Sequence, residues 1–286
     1  MKASPVQSRT VLVTGCSTGI GLATARLLRE RGWAAWPTAR KAEDLARLRA
    51  EGFNPIELDL YDPASVCRAA EEALKRGGGR LGALVNNAGY GQPGAVEDLT
   101  REALRRQFEV NVLGVQDLTN LVLPVMRGQG YGRVVNVSSV LGRLTLPFLG
   151  AYCASKHALE SLSDALRVEL RGTGIAVSII EPGPIETAFR KNSFEQGQER
   201  LDISKSRFAE RYRSEGSRRA AKNFRSSDPF TAPPEAVARR IVHALESGRP
   251  WRRYPVTLPA CAGSLLARFL PHAIIDWLLS RRMGKS

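Results

Sequence analysis

Tyr152 and Lys156 stand four residues apart in Tyr-Cys-Ala-Ser-Lys, a spacing that puts a phenol and an ammonium on one helical face. An unperturbed tyrosine titrates at about pH 10, and a nearby cation favours the phenolate. The pair therefore reads as a general acid for carbonyl reduction and a general base for alcohol oxidation. Upstream, the apolar run Arg133 to Val137 ends in Ser138 and Ser139, and Ser139 can donate a hydrogen bond to a substrate carbonyl held there. Each feature alone is ordinary, because Tyr-x-x-x-Lys arises by chance and serines after a strand often cap a helix. Their joint placement is what points to chemistry.

A second constellation lies near the start of the chain, where a strand runs into Thr14-Gly15-Cys16-Ser17-Thr18-Gly19-Ile20-Gly21 and then a helix. Glycines let the backbone turn tightly there, so that a pyrophosphate can approach the N–H groups and dipole of the helix N-terminus. At the end of the second strand, where a carboxylate would select NAD through its ribose hydroxyl, the chain has Arg40 and Lys41. A guanidinium can pair with a 2′-phosphate, so the spacing predicts NADP(H).

Strand and helix patterns alternate along the chain and predict a parallel sheet covered on both faces, an α/β doubly wound fold in a single domain over 1–286. Strands are expected at Thr10–Thr14, Ala34–Thr38, Pro55–Leu58, Ala83–Asn86, Arg133–Val137, Ile175–Ile180 and Trp251–Val256. Helices are expected at Gly19–Arg31, Ala42–Glu51, Pro63–Lys75, Arg101–Arg127, Ala154–Arg171 and Pro234–Ser247. Asp62 before Pro63 and Thr100 before Arg101 are cap candidates. The stretch 188–232 breaks the rhythm. It is polar and arginine-rich, with Phe194, Phe208, Tyr212 and Phe224 as apolar anchors, and it would leave the sheet edge where ligands bind. It reads as a substrate-covering insertion, with a surface loop as the alternative.

Composition narrows the field. The four cysteines lie far apart with no metal-ligand spacing, which predicts no metal and suits a reducing, cytoplasmic setting. No leader-like segment precedes the first strand. The net charge of +14 would suit nucleic acid, but the arginines are spread along amphipathic helices and aromatics make up only 7% of residues, so no nucleic-acid partner is expected.

Together with Asn86-Asn87-Ala88-Gly89 after the fourth strand and Asn111, these residues resemble the short-chain dehydrogenase/reductase family over roughly residues 10–187. The resemblance implies a Rossmann fold and a catalytic set of Asn111, Ser139, Tyr152 and Lys156. Ser139 stands thirteen residues before the tyrosine, the family's usual spacing. The implied dinucleotide contacts are Gly15, Ser17, Thr18, Gly19, Ile20, Gly21, Arg40, Asp59, Leu60, Asn87, Ala88, Gly89, Tyr152, Lys156, Pro182, Gly183, Ile185 and Thr187. The family also implies that Lys156 binds the nicotinamide ribose, that Asn111 joins a water-bridged proton relay, and that the protein is a homodimer or homotetramer through helices around 101–127 and 154–171. Tyr-Cys-Ala-Ser-Lys-His-Ala-Leu-Glu and Glu-Pro-Gly-Pro-Ile-Glu-Thr are similar to the branch of estradiol 17β- and retinol dehydrogenases, which implies a bulky apolar alcohol or ketone as small-molecule substrate.

Two other functions fit less well. A regulatory protein that senses NADP(H) without chemistry has no need of Ser139, Tyr152 and Lys156 together, and a nucleotide-sugar epimerase of the extended relatives would carry a different glycine spacing. The C-terminal extension over 259–286 is apolar, and Pro271 should split it into two short helices. It can lie on a membrane interface as a peripheral contact, or pack on the domain and wall the substrate cleft.

Overall fold

A computed structural model describes residues 4–189, 192–193, 197, 201, 206–213 and 230–283, with the side chains of 264–268, 272 and 282–283 outside the description. Seven strands form one parallel sheet: β1 (Thr10–Val13), β2 (Ala34–Ala39), β3 (Ile56–Glu57), β4 (Ala83–Asn86), β5 (Gly132–Val137), β6 (Ile175–Pro182) and β7 (Arg253–Val256). Their order is β3-β2-β1-β4-β5-β6-β7. From β1 the chain winds outward to β3 and then returns to the other side of β1, so a crevice opens at the carboxyl ends of β1 and β4.

Successive strand residues point to opposite faces, and both faces are apolar. Val11, Val13, Val85, Val135 and Ile180 pack on one side with α1 (Gly19–Glu30), α2 (Ala42–Ala50) and α7 (Pro234–Glu246). Leu12, Leu84, Val134 and Val177 pack on the other with α3 (Pro63–Arg76), α5 (Gly114–Gln129) and α6 (Gly150–Glu169). Local chemistry sets the helix starts. Asp62 accepts a hydrogen bond from the Ala64 N–H at 3.0 Å with Pro63 in the first turn, and Thr100 accepts one from Ala103 at 3.1 Å to open α4 (Arg101–Phe108).

The long helix expected over 101–127 is interrupted. Between α4 and α5 lies a π-helical segment, Glu109–Leu113, whose wider turn carries the buried Asn111. Helix α6 begins at Gly150, a turn earlier than expected, which places Tyr152 within its first turn. The C-terminal segment forms α8 (Leu258–Phe269) and α9 (His272–Met283), separated at Pro271. Among the described residues no helix is long and apolar enough to cross a membrane.

Candidate active site

Three strand ends meet at the crevice. The Thr14 hydroxyl accepts hydrogen bonds from the N–H groups of Asn87 and Ala88, both at 2.9 Å, and the Asn87 amide donates back to the carbonyls of Thr14 at 2.9 Å and Gly15 at 3.1 Å. Gly15, at φ +70°, leaves no room for a side chain, since a Cβ would sit 2.7 Å from Ala88 Cα. A Cβ on Gly19 would sit 2.9 Å from the Thr187 methyl, which fixes the loop after β6 against the glycine turn. Thr18 is the N-cap of α1. Its side chain makes no capping bond, and the first helical turn holds no acid. Ser17, Gly19 and Ile20 are half-buried around that helix start. An uncapped helix N-terminus at the mouth of a glycine turn fits a bound pyrophosphate.

At the far end of the crevice Arg40 is half exposed, with its guanidinium 3.9 Å from the Asp59 carboxylate. Asp59 itself accepts from the Tyr61 N–H at 3.0 Å. Leu60 buries its side chain in the core, and its carbonyl packs where a Cβ on Gly114 would come within 2.2 Å. Arg47, which sequence reasoning passed over, reaches from α2 to the Ser17 carbonyl and pairs with Asp44 at 2.7 Å. Its only sequence signal is its place on the helix after Arg40.

At the other end Tyr152 and Lys156 are buried on α6. The Lys156 ammonium donates to the Val137 carbonyl at 2.8 Å and lies 5.9 Å from the centre of the Tyr152 ring. The sequence expectation of a tyrosine shifted toward phenolate by this lysine is corrected here. Burial pushes the Tyr152 hydroxyl up to about 12, opposed only in part by a hydrogen bond with Ser139. Burial likewise pulls Lys156 down to about 8, opposed by the carboxylate of Glu160. Desolvation outweighs the Ser139 hydrogen bond at the tyrosine and the Glu160 charge at the lysine.

Ser139 does serve as a cap, accepting from the Leu141 N–H at 3.1 Å, yet a hydroxyl that accepts a bond keeps its proton to donate. The Asn111 amide ties Tyr90 from both sides, accepting from its N–H at 3.1 Å and donating to its carbonyl at 2.9 Å. It also donates to Ser155 at 3.2 Å, whose hydroxyl donates to the Tyr152 carbonyl at 2.8 Å. Asn111 thus joins the loop after β4, including Gly89, to the tyrosine helix. Gln107 strengthens the same joint, donating to the Tyr90 carbonyl at 2.9 Å and accepting from the Gln92 N–H at 2.6 Å. Its four-residue offset from Asn111 was the available signal.

The Pro182-Gly183-Pro184-Ile185 loop is held by the Gly183 N–H on the Val256 carbonyl at 2.9 Å. Ile185 forms a parallel bridge with Ala232, so the excursion over 188–232 returns beside the point where it left. Its described parts lie across the carboxyl edge. Ser193 accepts from the Gly91 N–H at 2.9 Å, the Tyr212 hydroxyl donates to Asp98 at 2.7 Å, and Phe208 packs edge-on against Phe148 at 5.1 Å. Phe189 packs 5.7 Å from the Tyr152 ring. The anchors expected at Phe194 and Phe224 lie outside the described residues.

One turn beyond Lys156, Glu160 joins a cluster that the motifs did not foretell. The Arg253 guanidinium bonds Glu160 and Asp164 on α6 and Glu181 on β6, the last at 2.5 Å. Glu160 and Glu181 are almost wholly buried, and the arginine fastens the helix that carries Tyr152 and Lys156 to the end of the sheet.

The sequence pattern of the family described as short chain dehydrogenase matches residues 9–198, more than half of the chain. The chain belongs to the short-chain dehydrogenase family. This dehydrogenase is 41% identical to the uncharacterized oxidoreductase YbbO of Escherichia coli, over 96% of its own length and 95% of the relative. It is 34% identical to human retinol dehydrogenase 16, covering 96% of this chain and 89% of that one, and 36% identical to human 17-beta-hydroxysteroid dehydrogenase type 1, covering 91% and 78%. Among solved structures, a short chain dehydrogenase/reductase from Burkholderia phymatum in complex with NAD superposes with a TM-score of 0.76 at 27% identity, with 96% of each chain covered. The branch read from the tyrosine and Glu-Pro-Gly segments is the one to which the retinol and steroid relatives belong.

Proposed function

We propose that this dehydrogenase uses NADP(H) to interconvert a ketone or aldehyde and the corresponding alcohol on a bulky apolar substrate. The single observation that carries the reading is one crevice holding an uncapped helix start at one end and a buried Ser139, Tyr152 and Lys156 at the other. The glycine turn, Asn87, Ala88, Gly89, Ile185 and Thr187 would hold the dinucleotide, with Arg40 meeting the 2′-phosphate and Asp59 and Leu60 flanking the adenine. When bound, the dinucleotide supplies the hydride in reduction and accepts it in oxidation. Ser139 donates a hydrogen bond to the substrate oxygen and orients it. Tyr152, protonated far above neutral pH, donates its proton to that oxygen as the alcohol forms. Lys156 remains largely protonated at neutral pH and holds its charge behind the tyrosine. In oxidation the same phenol, once deprotonated, takes the proton from the alcohol.

Among the described residues of 188–232, Phe208 and Tyr212 pack on Phe148 and Phe189 packs on Tyr152, which supports an apolar substrate, and the relatives are named for retinol and a hydroxysteroid. Exposed Leu113 at the end of the π-helical segment and Leu121 on α5, with Leu162 and Val168 on α6, offer apolar surface for a homodimer or homotetramer. The test is NADPH consumption against a panel of retinoid, steroid and simple aliphatic carbonyls, alongside dissociation constants for NADPH and NADH. Turnover of the apolar compounds with tighter NADPH binding is expected. Tight NADPH binding with no turnover of any carbonyl would instead identify a dinucleotide-sensing protein.

A further inference from the structure

Helices α8 and α9 behave differently, and the break at Pro271 divides them. Helix α8 belongs to the site: its Gly263 packs so closely on the turn after Ser139 that a Cβ would lie 2.9 Å from Val140 and 3.0 Å from Leu144. Ala260, in its first turn, is fully buried. Beyond the break, Ile274, Trp277, Leu278 and Arg281 follow the spacing of a single helical stripe, and all four are exposed. Ile275 and Leu279, on the neighbouring face, are less exposed, so the stripe points away from the domain. Phe269, at the end of α8, extends the apolar surface and is 73% exposed. The Arg281 guanidinium stacks on the Trp277 ring at 3.9 Å.

We infer that this stripe docks on the surface of an anionic lipid bilayer and turns the cleft wall formed by α8 toward the membrane. Charge selects this occupant. From residue 258 onward the sequence holds one acid, Asp276, against Arg268, Arg281, Arg282 and Lys285, and helical geometry sets Asp276 on the side opposite the stripe. An exposed tryptophan beside arginine matches the interfacial depth of a bilayer, where the ring enters the headgroup boundary and the guanidinium meets lipid phosphate. The orientation of the cleft rests on the apolar-substrate reading above, since α8 joins the turn after Ser139 to the docking face. A lipid-dissolved ketone or alcohol then reaches the site without crossing water.

The full-length protein is mixed at low salt with vesicles of phosphatidylcholine and phosphatidylglycerol in equal parts, and with vesicles of phosphatidylcholine alone. Binding to the anionic vesicles that falls as salt is added is the expected result, because exposed charges are screened. Trp277→Ala with Leu278→Ala should weaken it by about tenfold or more, since both side chains lose apolar area buried at the interface. An unchanged melting temperature shows that the variant keeps the fold. Turnover of a water-soluble carbonyl without vesicles, measured in parallel, reports separately on the oxidoreductase reading. Three results would overturn the proposal: no binding of the unmutated protein to anionic vesicles at low salt, full binding by the double variant, or a concentration-dependent self-association that the variant abolishes while vesicle binding is absent.

Discussion

The two ends of the crevice are built from opposite physics. At the nicotinamide end Tyr152 and Lys156 are buried, and desolvation moves both toward their neutral forms, the tyrosine to about 12 and the lysine to about 8. At the adenosine end Arg40 is half exposed and stands a loose 3.9 Å from Asp59. Water screens that end and is excluded from the other. Removing a group at the buried end should therefore change rates by orders of magnitude and titrate with pH, whereas the exposed end should yield smaller, salt-sensitive changes in affinity.

The sharpest way to break this contrast is at Tyr152. Tyr152→Phe should lower kcat by about a hundredfold to ten-thousandfold while leaving the NADPH dissociation constant within about twofold, because a proton donor is lost and a ring is kept. Steady-state turnover beside fluorescence titration of NADPH decides it, and substantial turnover in the variant would remove Tyr152 from the mechanism. Ser139→Ala should fall between this variant and the unmutated enzyme, since it loses the bond to the substrate oxygen and the cap on Leu141 but keeps the acid.

Arg253 tests whether the buried end depends on a paired interior. Arg253→Met leaves Glu160 and Glu181 buried without their guanidinium, a change that costs about 3–5 kcal/mol in comparable buried pairs. Burial already holds the Glu160 carboxyl above its ordinary value, and loss of the Arg253 charge raises it further. The variant should then come closest to the unmutated protein in acid and lose stability as pH rises through that raised value. Urea melts at acid and alkaline pH measure this, and a deficit independent of pH would assign the loss to packing alone.

Lys156 gives a milder but diagnostic effect. Its depressed pKa means that the ammonium is lost as pH rises through about 8, while Tyr152 stays protonated to about 12. For reduction, kcat/KM should fall on the alkaline side with a midpoint near that lysine value, and Lys156→Arg should carry the limb to much higher pH because a guanidinium does not titrate there. For stability the sign is the reverse. A lysine depressed in the fold binds fewer protons than in the unfolded chain between its two pKa values, so its burial penalty is relieved as pH rises through that window.

What the sequence made legible follows the same division. The strands of the parallel sheet, the glycine turn and the meeting of Tyr152, Lys156 and Ser139 rest on local periodicity and on residues whose chemistry is rare, so they could be read directly, whereas the order of the strands in the sheet came only with the fold. The π-helical segment at Glu109–Leu113 was not legible, because one extra residue per turn leaves no mark on an otherwise helical pattern. The Arg253 cluster was hidden by distance along the chain, with its carboxylates on α6 and β6 more than seventy residues away from the arginine. The phenol's upward shift was misjudged because spacing reports which groups are near each other and says nothing of how much water remains around them. The role of Arg47 was invisible for the plainest reason, since its contact with Ser17 exists only once α2 folds over the glycine turn.

The smallest expected effects separate Arg40 from Arg47, and they sharpen the account of the exposed end. If Arg40 meets the 2′-phosphate as proposed, Arg40→Gln removes a charge that NADH does not use, so it should weaken NADPH by about tenfold with NADH unchanged. Because Arg40 is half exposed, that preference should shrink as salt is added, in contrast to the buried-end effects. Arg47→Gln removes the support of the Ser17 carbonyl, which both dinucleotides need equally, so it should weaken NADPH and NADH together by only a few-fold. Titrations of both cofactors across a salt series distinguish the two variants. If Arg47→Gln instead shifted the NADPH preference and Arg40→Gln did not, the 2′-phosphate would sit on α2 rather than at the end of β2, and the guanidinium that the sequence singled out would be the wrong one.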